Sequence, residues 1–140
     1  MLSEIDNKDP DVDIILPNYN NGKYLKETIN SIIVQTYKNW KLFIIDDNSQ
    51  DNSKEIISNY KGEKIEIIYL PKNKGVAFCR NLGIRLSNSE YISFLDSDDY
   101  WEKDKLEGQI HFMEKFHHGF TYSDYTPFVV KKNRKIFMKK

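Results

Sequence analysis

The sequence predicts an α/β fold with a parallel sheet, and three observations predict it. Four short apolar runs, rich in β-branched and aromatic residues, recur at 12–16, 40–45, 65–70 and 91–95. The segments that follow them repeat apolar residues at helical spacing. Polar clusters stand directly after three of the runs, at Pro17 to Asn20, Asp46 to Ser49 and Asp96 to Asp99. Alternating strands and helices imply crossover connections, which are right-handed in nearly all such units. Ligands in these sheets bind beyond the carboxyl ends of the strands. The three clusters are therefore expected to converge on one edge.

Each element has its own signal. Val12-Asp13-Ile14-Ile15-Leu16 reads as a buried strand stopped by Pro17, with loop composition at 18–22. Leu25, Ile29, Ile32 and Ile33 give a helix ending near Thr36. Residues 40–45 form the second strand. Ser49 or Asp51 then caps a helix carrying Ile56, Ile57 and Tyr60. Residues 65–70 form the third strand, stopped by Pro71, and Asn73-Lys74-Gly75 turns into a helix through Phe78, Leu82 and Leu86. Residues 91–95 are the fourth strand. A helix follows through Leu106, Ile110, Met113 and His117. Residues 119–125 are expected to be a fifth strand, and 127–138 a basic hairpin.

Composition narrows the function classes. The chain has 140 residues, enough for one domain with a real core. Lys plus Arg equal Asp plus Glu at 21 each, which argues against a nucleic-acid binder. The single cysteine, Cys79, excludes an intrachain disulfide and suits the cytoplasm. No apolar run is long enough for a transmembrane helix, and the first residues lack the pattern of a signal peptide. The last ten residues carry Lys131, Lys132, Arg134, Lys135, Lys139 and Lys140 with no acid. Such a tail can touch anionic lipid at the inner face of a membrane, although a solvated hairpin is the plainer reading.

Asp96-Ser97-Asp98-Asp99 carries the strongest chemical signal. Three carboxylates within four residues repel one another unless a cation or hydrogen bonds compensate. Mg²⁺ takes one or two carboxylates and completes its shell with phosphates and water. Asp98 or Asp99 as a plain helix cap is the competing reading. Asp46-Asp47-Asn48-Ser49 can accept hydrogen bonds from a base or ribose, or be a turn with a cap. Tyr19 can stack on a base or pack as a rim aromatic. Gly75 can let the backbone approach phosphates, and Arg80 can face a diphosphate or form a surface ion pair. Cys79 reads as a small packed side chain. His111, His117 and His118 lack metal spacing. No P-loop and no dinucleotide glycine fingerprint occurs.

Taken in order, the clusters resemble family 2 glycosyltransferases of the GT-A fold. The resemblance rests on Ile14-Ile15-Leu16-Pro17-Asn18-Tyr19-Asn20, Ser31-Ile32-Ile33-Val34-Gln35-Thr36-Tyr37, Ile44-Ile45-Asp46-Asp47-Asn48-Ser49-Gln50-Asp51, Asn73-Lys74-Gly75-Val76-Ala77, Arg80-Asn81-Leu82-Gly83-Ile84 and Glu90-Tyr91-Ile92-Ser93-Phe94-Leu95-Asp96-Ser97-Asp98-Asp99. It runs from about Val12 to about Tyr125. It implies a Rossmann-like sheet and an inverting transfer from a nucleotide-diphosphate sugar, UDP-sugar first, to an acceptor hydroxyl on a glycan or lipid-linked sugar. Bacterial polysaccharide synthesis is the setting it suggests. Tyr19 and Asp47 would hold the base, Asp96 the ribose, and Asp98 with Asp96 a Mg²⁺ or Mn²⁺ ion. Pro17, Asn20, Asp46, Gly75, Arg80 and Ser97 complete the implied nucleotide-sugar site.

An inverting transfer needs a general base. The acids after Asp104 are Glu107, Glu114 and Asp124, and none matches the family's base, which is expected beyond Lys140. The chain is thus expected to be a C-terminally truncated fragment: a polar extension at 1–11, a donor-binding half at 12–126, and a basic segment at 127–140 that begins the acceptor half. It is expected to bind nucleotide with metal and to turn over poorly. A non-catalytic nucleotide-sugar-binding module is the alternative. A haloacid-dehalogenase-like phosphatase also uses D-x-D, but Tyr100 stands where Thr or Val is expected and the motif follows the fourth strand, not the first.

Overall fold

A computed structural model describes residues 11–131 and 134–138. The 1–10 part of the expected extension, and Lys132, Lys139 and Lys140 of the basic tail, lie outside them. The elements are β1 (Val12–Asn18), α1 (Gly22–Ile33), β2 (Trp40–Asp46), α2 (Ser53–Ser58), β3 (Ile65–Tyr69), α3 (Val76–Leu86), β4 (Tyr91–Phe94), α4 (Lys105–Phe116), β5 (Phe128–Lys131) and β6 (Arg134–Phe137).

The main sheet has the order β3-β2-β1-β4, and all its pairs are parallel. β1 is buried at every residue, as expected of a strand covered on both faces. Val12, Ile14 and Leu16 pack with Leu25, Ile29 and Ile32 of α1, Ile57 of α2, and Leu106, Ile110 and Met113 of α4. Ile15 and Ile45 point the other way, onto Cys79 and Leu82 of α3. α1 and α2 thus cover one face while α3 covers the other, because the crossover from β3 to β4 reverses direction across β1. The switch point lies between β1 and β4.

Two features bring the sheet edge to its site. Gly83 lets α3 lie flush on β1: a Cβ there would stand 2.6 Å from Ile15 Cγ2. Pro17 does not stop β1, which continues to Asn18. Residue 15 faces β4, since its carbonyl accepts the Leu95 N–H, so residue 17 faces that side too. Pairing with β4 has ended by then, at Ile15 opposite Phe94. The missing proline N–H therefore forfeits no ladder bond, and β1 and β4 part into a cleft.

The expected fifth strand at 119–125 is a correction. That segment has no strand structure. Phe120, Tyr122 and Tyr125 are exposed and no described strand pairs with it, so alternation alone has nothing to bond to. The outer edge of β4 is likewise unpaired among the described residues, with Ile92 and Phe94 exposed. The basic hairpin is present as antiparallel β5 and β6. Lys135 holds it to the body: its amine reaches Glu27 and lies 3.8 Å from the Tyr100 ring centroid. Among the described residues no helix is long and apolar enough to cross a membrane.

Candidate functional site

The first polar cluster is knitted from the ends of β1 and β2. Asn18 Nδ2 donates to Asp46 Oδ1 at 2.8 Å and to Ser49 Oγ at 3.1 Å. The Ser49 N–H donates to the other Asp46 oxygen at 3.0 Å. Asp46 is fully buried, so its charge is held by donors inside the fold. Asn20 N–H donates to Ser49 Oγ, and Asn20 Oδ1 accepts from Gln50 N–H. Asn20 and Asn48 both sit at positive φ, where asparagine is tolerated best after glycine.

Asp47 is used in the same way. Its oxygens accept the N–H groups of Lys74 and Gly75, both at 2.7 Å, which fastens the β3–α3 loop to the end of β2. Gly75 has φ 87°, a left-handed region costly for residues with a Cβ. Asp51 accepts from the first helical N–H of both α1 and α2, at Gly22 and Ser53. It is thus the residue that serves the start of α2. Burial pushes its carboxyl up, but the hydrogen bonds from Ser53 and Gly22 outweigh this and hold it below the usual carboxylate range.

The Asp96–Asp99 cluster is a turn closed by the Asp99 N–H on the Asp96 carbonyl at 3.1 Å. Its carboxylates point outward: Asp96, Asp98 and Asp99 are all exposed. Arg80 donates to Asp96 Oδ1 at 2.6 Å. Among the described residues nothing hydrogen-bonds the Asp98 carboxylate. Burial, then the charges of Asp98 and Asp96, raise the Asp99 carboxyl. Asp98 and Asp99 cap no helix, since α4 starts only at Lys105.

The turns meet around a cleft of about 250 Å³. Pro17, Tyr19, Asp47, Arg80, Asp96, Ser97 and Asp98 line it, so seven of the residues singled out in the sequence come together. Asn20, Asp46 and Gly75 do not line it. Asn20 and Asp46 brace the cluster, and the Gly75 N–H donates to Asp47. Asn18, Asn21, Val76 and Cys79 also line the cleft. Cys79 reads from sequence as a packed side chain and the other three carry no assigned role there, although Asn18 and Asn21 flank Tyr19-Asn20 and carry the polar signal of a strand-end loop. The Asn18 Oδ1 and Arg80 Nε atoms are buried without a partner. Burial, then the charges of Asp47 and Asp46, push the Cys79 thiol up to about 11.

A larger groove of about 820 Å³ lies between α1 and residues 100–104. Its walls mix both signs of charge, three cations (Lys23, Lys26, Lys103) and three acids (Glu27, Glu102, Asp104), and define no ligand chemistry. Among the described residues no three His, Cys, Asp or Glu side chains form a metal cage. The turn instead offers carboxylates on one side only. That suits an oxygen-loving divalent ion shared with a phosphorylated ligand.

Comparison with known proteins bears on this cleft. The family described as Glycosyl transferase family 2 matches residues 13–137. A Bacillus subtilis protein named as a candidate teichuronic acid biosynthesis glycosyltransferase, TuaG, is 38% identical over 119 residues, covering 84% of this chain and 47% of its own length. The Escherichia coli UDP-Glc:alpha-D-GlcNAc-diphosphoundecaprenol beta-1,3-glucosyltransferase WfaP is 42% identical over 114 residues, covering 81% and 45%. The crystal structure of S. aureus TarS 1-349 in complex with UDP superposes with a TM-score of 0.71 at 29% identity, covering 76% of this chain and 33% of that one. The same TarS portion has also been solved with UDP-GlcNAc. The chain spans just under half the length of these two curated relatives.

Proposed function

This chain belongs to glycosyl transferase family 2 and has the GT-A type of sheet, and from that premise we propose that residues 12–126 are the donor-binding half of a glycosyltransferase. The donor is a nucleoside-diphosphate sugar, UDP-sugar first. WfaP, named for UDP-Glc, and TarS, solved with UDP and UDP-GlcNAc, support that choice. The observation that carries the reading is the content of one cleft: an exposed aromatic ring, a guanidinium and outward carboxylates at the strand ends.

In this reading Tyr19 stacks on the base. Asp47 keeps lone pairs beyond those spent on Lys74 and Gly75, and accepts from a base N–H. Asp96, steadied by Arg80, would take the ribose hydroxyls and share the metal with Asp98, and the Arg80 guanidinium would pair with the diphosphate. Asp98 is the main protein ligand of a Mg²⁺ or Mn²⁺ ion. Transfer breaks the bond from the sugar to the diphosphate oxygen and leaves negative charge on that oxygen. A divalent cation, when bound, neutralises that charge.

Inversion requires a base for the acceptor proton on the opposite face. Glu107, Glu114 and Asp124 do not line the cleft, Glu107 bonding Thr36 and Glu114 bonding Tyr91. We assign the base, and the contacts to a glycan or lipid-linked sugar, to the part of its relatives that this chain does not span. Work in the cytoplasm at the inner membrane face, with the basic hairpin toward anionic lipid, belongs to the same proposal. A binding module without transfer is the second reading, favoured because every carboxylate lining the cleft is taken by the nucleotide and metal roles.

Thermal unfolding with UDP, GDP, CDP and dTDP, each with and without Mn²⁺, tests the site. Ligand at 100-fold over its Kd adds about 2.7 kcal/mol, a shift on the order of 5–10 °C. A metal-dependent shift with one nucleotide, absent in Asp98→Asn, is expected. A cooperative melt that no nucleotide moves would sink the donor-site reading.

A further inference from the structure

The stripe of α1 and its two flanks that faces residues 97–106 is not purely apolar. Thr28, Ser31 and Gln35 recur at helical spacing with Asn21 ahead of them. Thr28, Ser31 and Gln35 are buried. Unlike the apolar residues beside them, they spend their side chains on the backbone that runs from the acidic turn to α4. Asn21 Nδ2 donates to Ser97 Oγ at 2.8 Å. Thr28 Oγ1 lies 2.7 Å from the Asp99 carbonyl and 3.0 Å from the Ser97 carbonyl. Ser31 Oγ accepts from Trp101 N–H at 3.1 Å. Gln35 donates to the Glu102 carbonyl at 2.7 Å and accepts from Leu106 N–H at 3.0 Å.

The two carbonyls gathered by Thr28 flank Asp98 on either side. We propose that Thr28 is a positioning residue: its hydroxyl fixes the backbone across Asp98 and so sets where that carboxylate meets a divalent cation. This inference rests on the donor-site reading and deepens it. A hydroxyl has one proton, so the shortest contact, to Asp99, is the hydrogen bond, and the Ser97 carbonyl and the Tyr24 carbonyl of its own helix, at 3.3 Å, share it weakly. Valine has the shape of threonine but leaves both carbonyls without that donor. Loss of partners that orient a metal ligand typically costs 10- to 100-fold in metal affinity.

The test compares Thr28→Val, Thr28→Ala and Thr28→Ser with the unaltered chain. Titration with UDP, in Mn²⁺ and in EDTA, separates the metal-dependent part of binding from the rest. Thr28→Val is expected to weaken UDP about 10-fold or more in Mn²⁺ and about 2-fold or less in EDTA, with Thr28→Ser restoring most of the loss. Amide hydrogen exchange without ligand is the second readout. Thr28→Val and Thr28→Ala should speed exchange at Asp99 about 10-fold, with α3 amides unchanged. Equal weakening in Mn²⁺ and EDTA, no rescue by serine, or unchanged exchange at Asp99 would overturn the proposal. If the unaltered chain binds no UDP under either condition, the UDP-site reading fails. The exchange result still decides whether Thr28 holds the turn.

Discussion

The turn after β2 and the turn after β4 are both acidic, both follow a parallel strand and both border the same cleft. They treat their charges in opposite ways. Asp46 and Asp47 are buried and bound by Asn18, Ser49, Lys74 and Gly75. Asp96 and Asp98 are exposed, and there the backbone of the turn is what Thr28 and the other polar residues of α1 hold. One turn spends carboxylates to build the fold. The other spends the fold to present carboxylates. Where a motif's hydrogen bonds go therefore says more about its role than its letters do.

Substitutions should pull the two turns apart. Asp46→Ala carries the largest expected effect, since it strands the Ser49 N–H and one of the two Asn18 amide hydrogens inside the protein. Losing hydrogen bonds to a buried charge costs about 3 kcal/mol here, or on the order of 10 °C in a thermal melt. A loss under about 1 kcal/mol would remove the distinction between the turns. Asp47→Asn should come next. An amide oxygen can satisfy only one of the N–H groups of Lys74 and Gly75, so hydrogen exchange in the β3–α3 loop should quicken and stability drop by about 1–2 kcal/mol. Asp98→Asn should leave the ligand-free melt within about 0.5 kcal/mol of the parent, while removing the metal-dependent shift.

The smallest effect concerns acid. Asp51 ties the starts of α1 and α2 together, and its carboxyl lies below the usual range. Its charged form is therefore favoured in the folded chain. The stabilisation is complete above the ordinary carboxylate value of about 4, and drains away as pH falls through the lowered folded value. Urea unfolding at pH 7, 4 and 3 should show a shallower acid decline in Asp51→Asn than in the parent. A parallel decline would mean that Asp51 contributes no pH dependence.

Much of this was legible in the chain because periodicity and turn chemistry are local. Ile14, Ile44, Leu25 and Ile110 announce their faces by spacing alone. The clusters at Asp46 and Asp96 follow strands visibly enough to place them on one edge. Long-range partners were not legible. Thr28, Ser31 and Gln35 look like interruptions of an apolar stripe until residues about 70 positions later supply their partners. Asp47 has the same neighbours in sequence whether it meets a ligand or the Gly75 N–H. Residues 119–125 have a strand's composition, but a strand is a property of two chains of atoms, and the second is missing among the described residues.

Cys79 is the chain's only thiol, and it is buried between α3 and the sheet at the wall of the cleft, where it stays protonated near neutrality. It borders the cleft yet has no exposed surface, so reagent reaches it only when that wall opens. The rate of thiol modification in the native protein, divided by that in denaturant, is then an opening constant for this wall of the cleft. The unaltered chain thus carries its own clock for breathing at the site, one that needs no engineered label and should slow when a nucleotide is held.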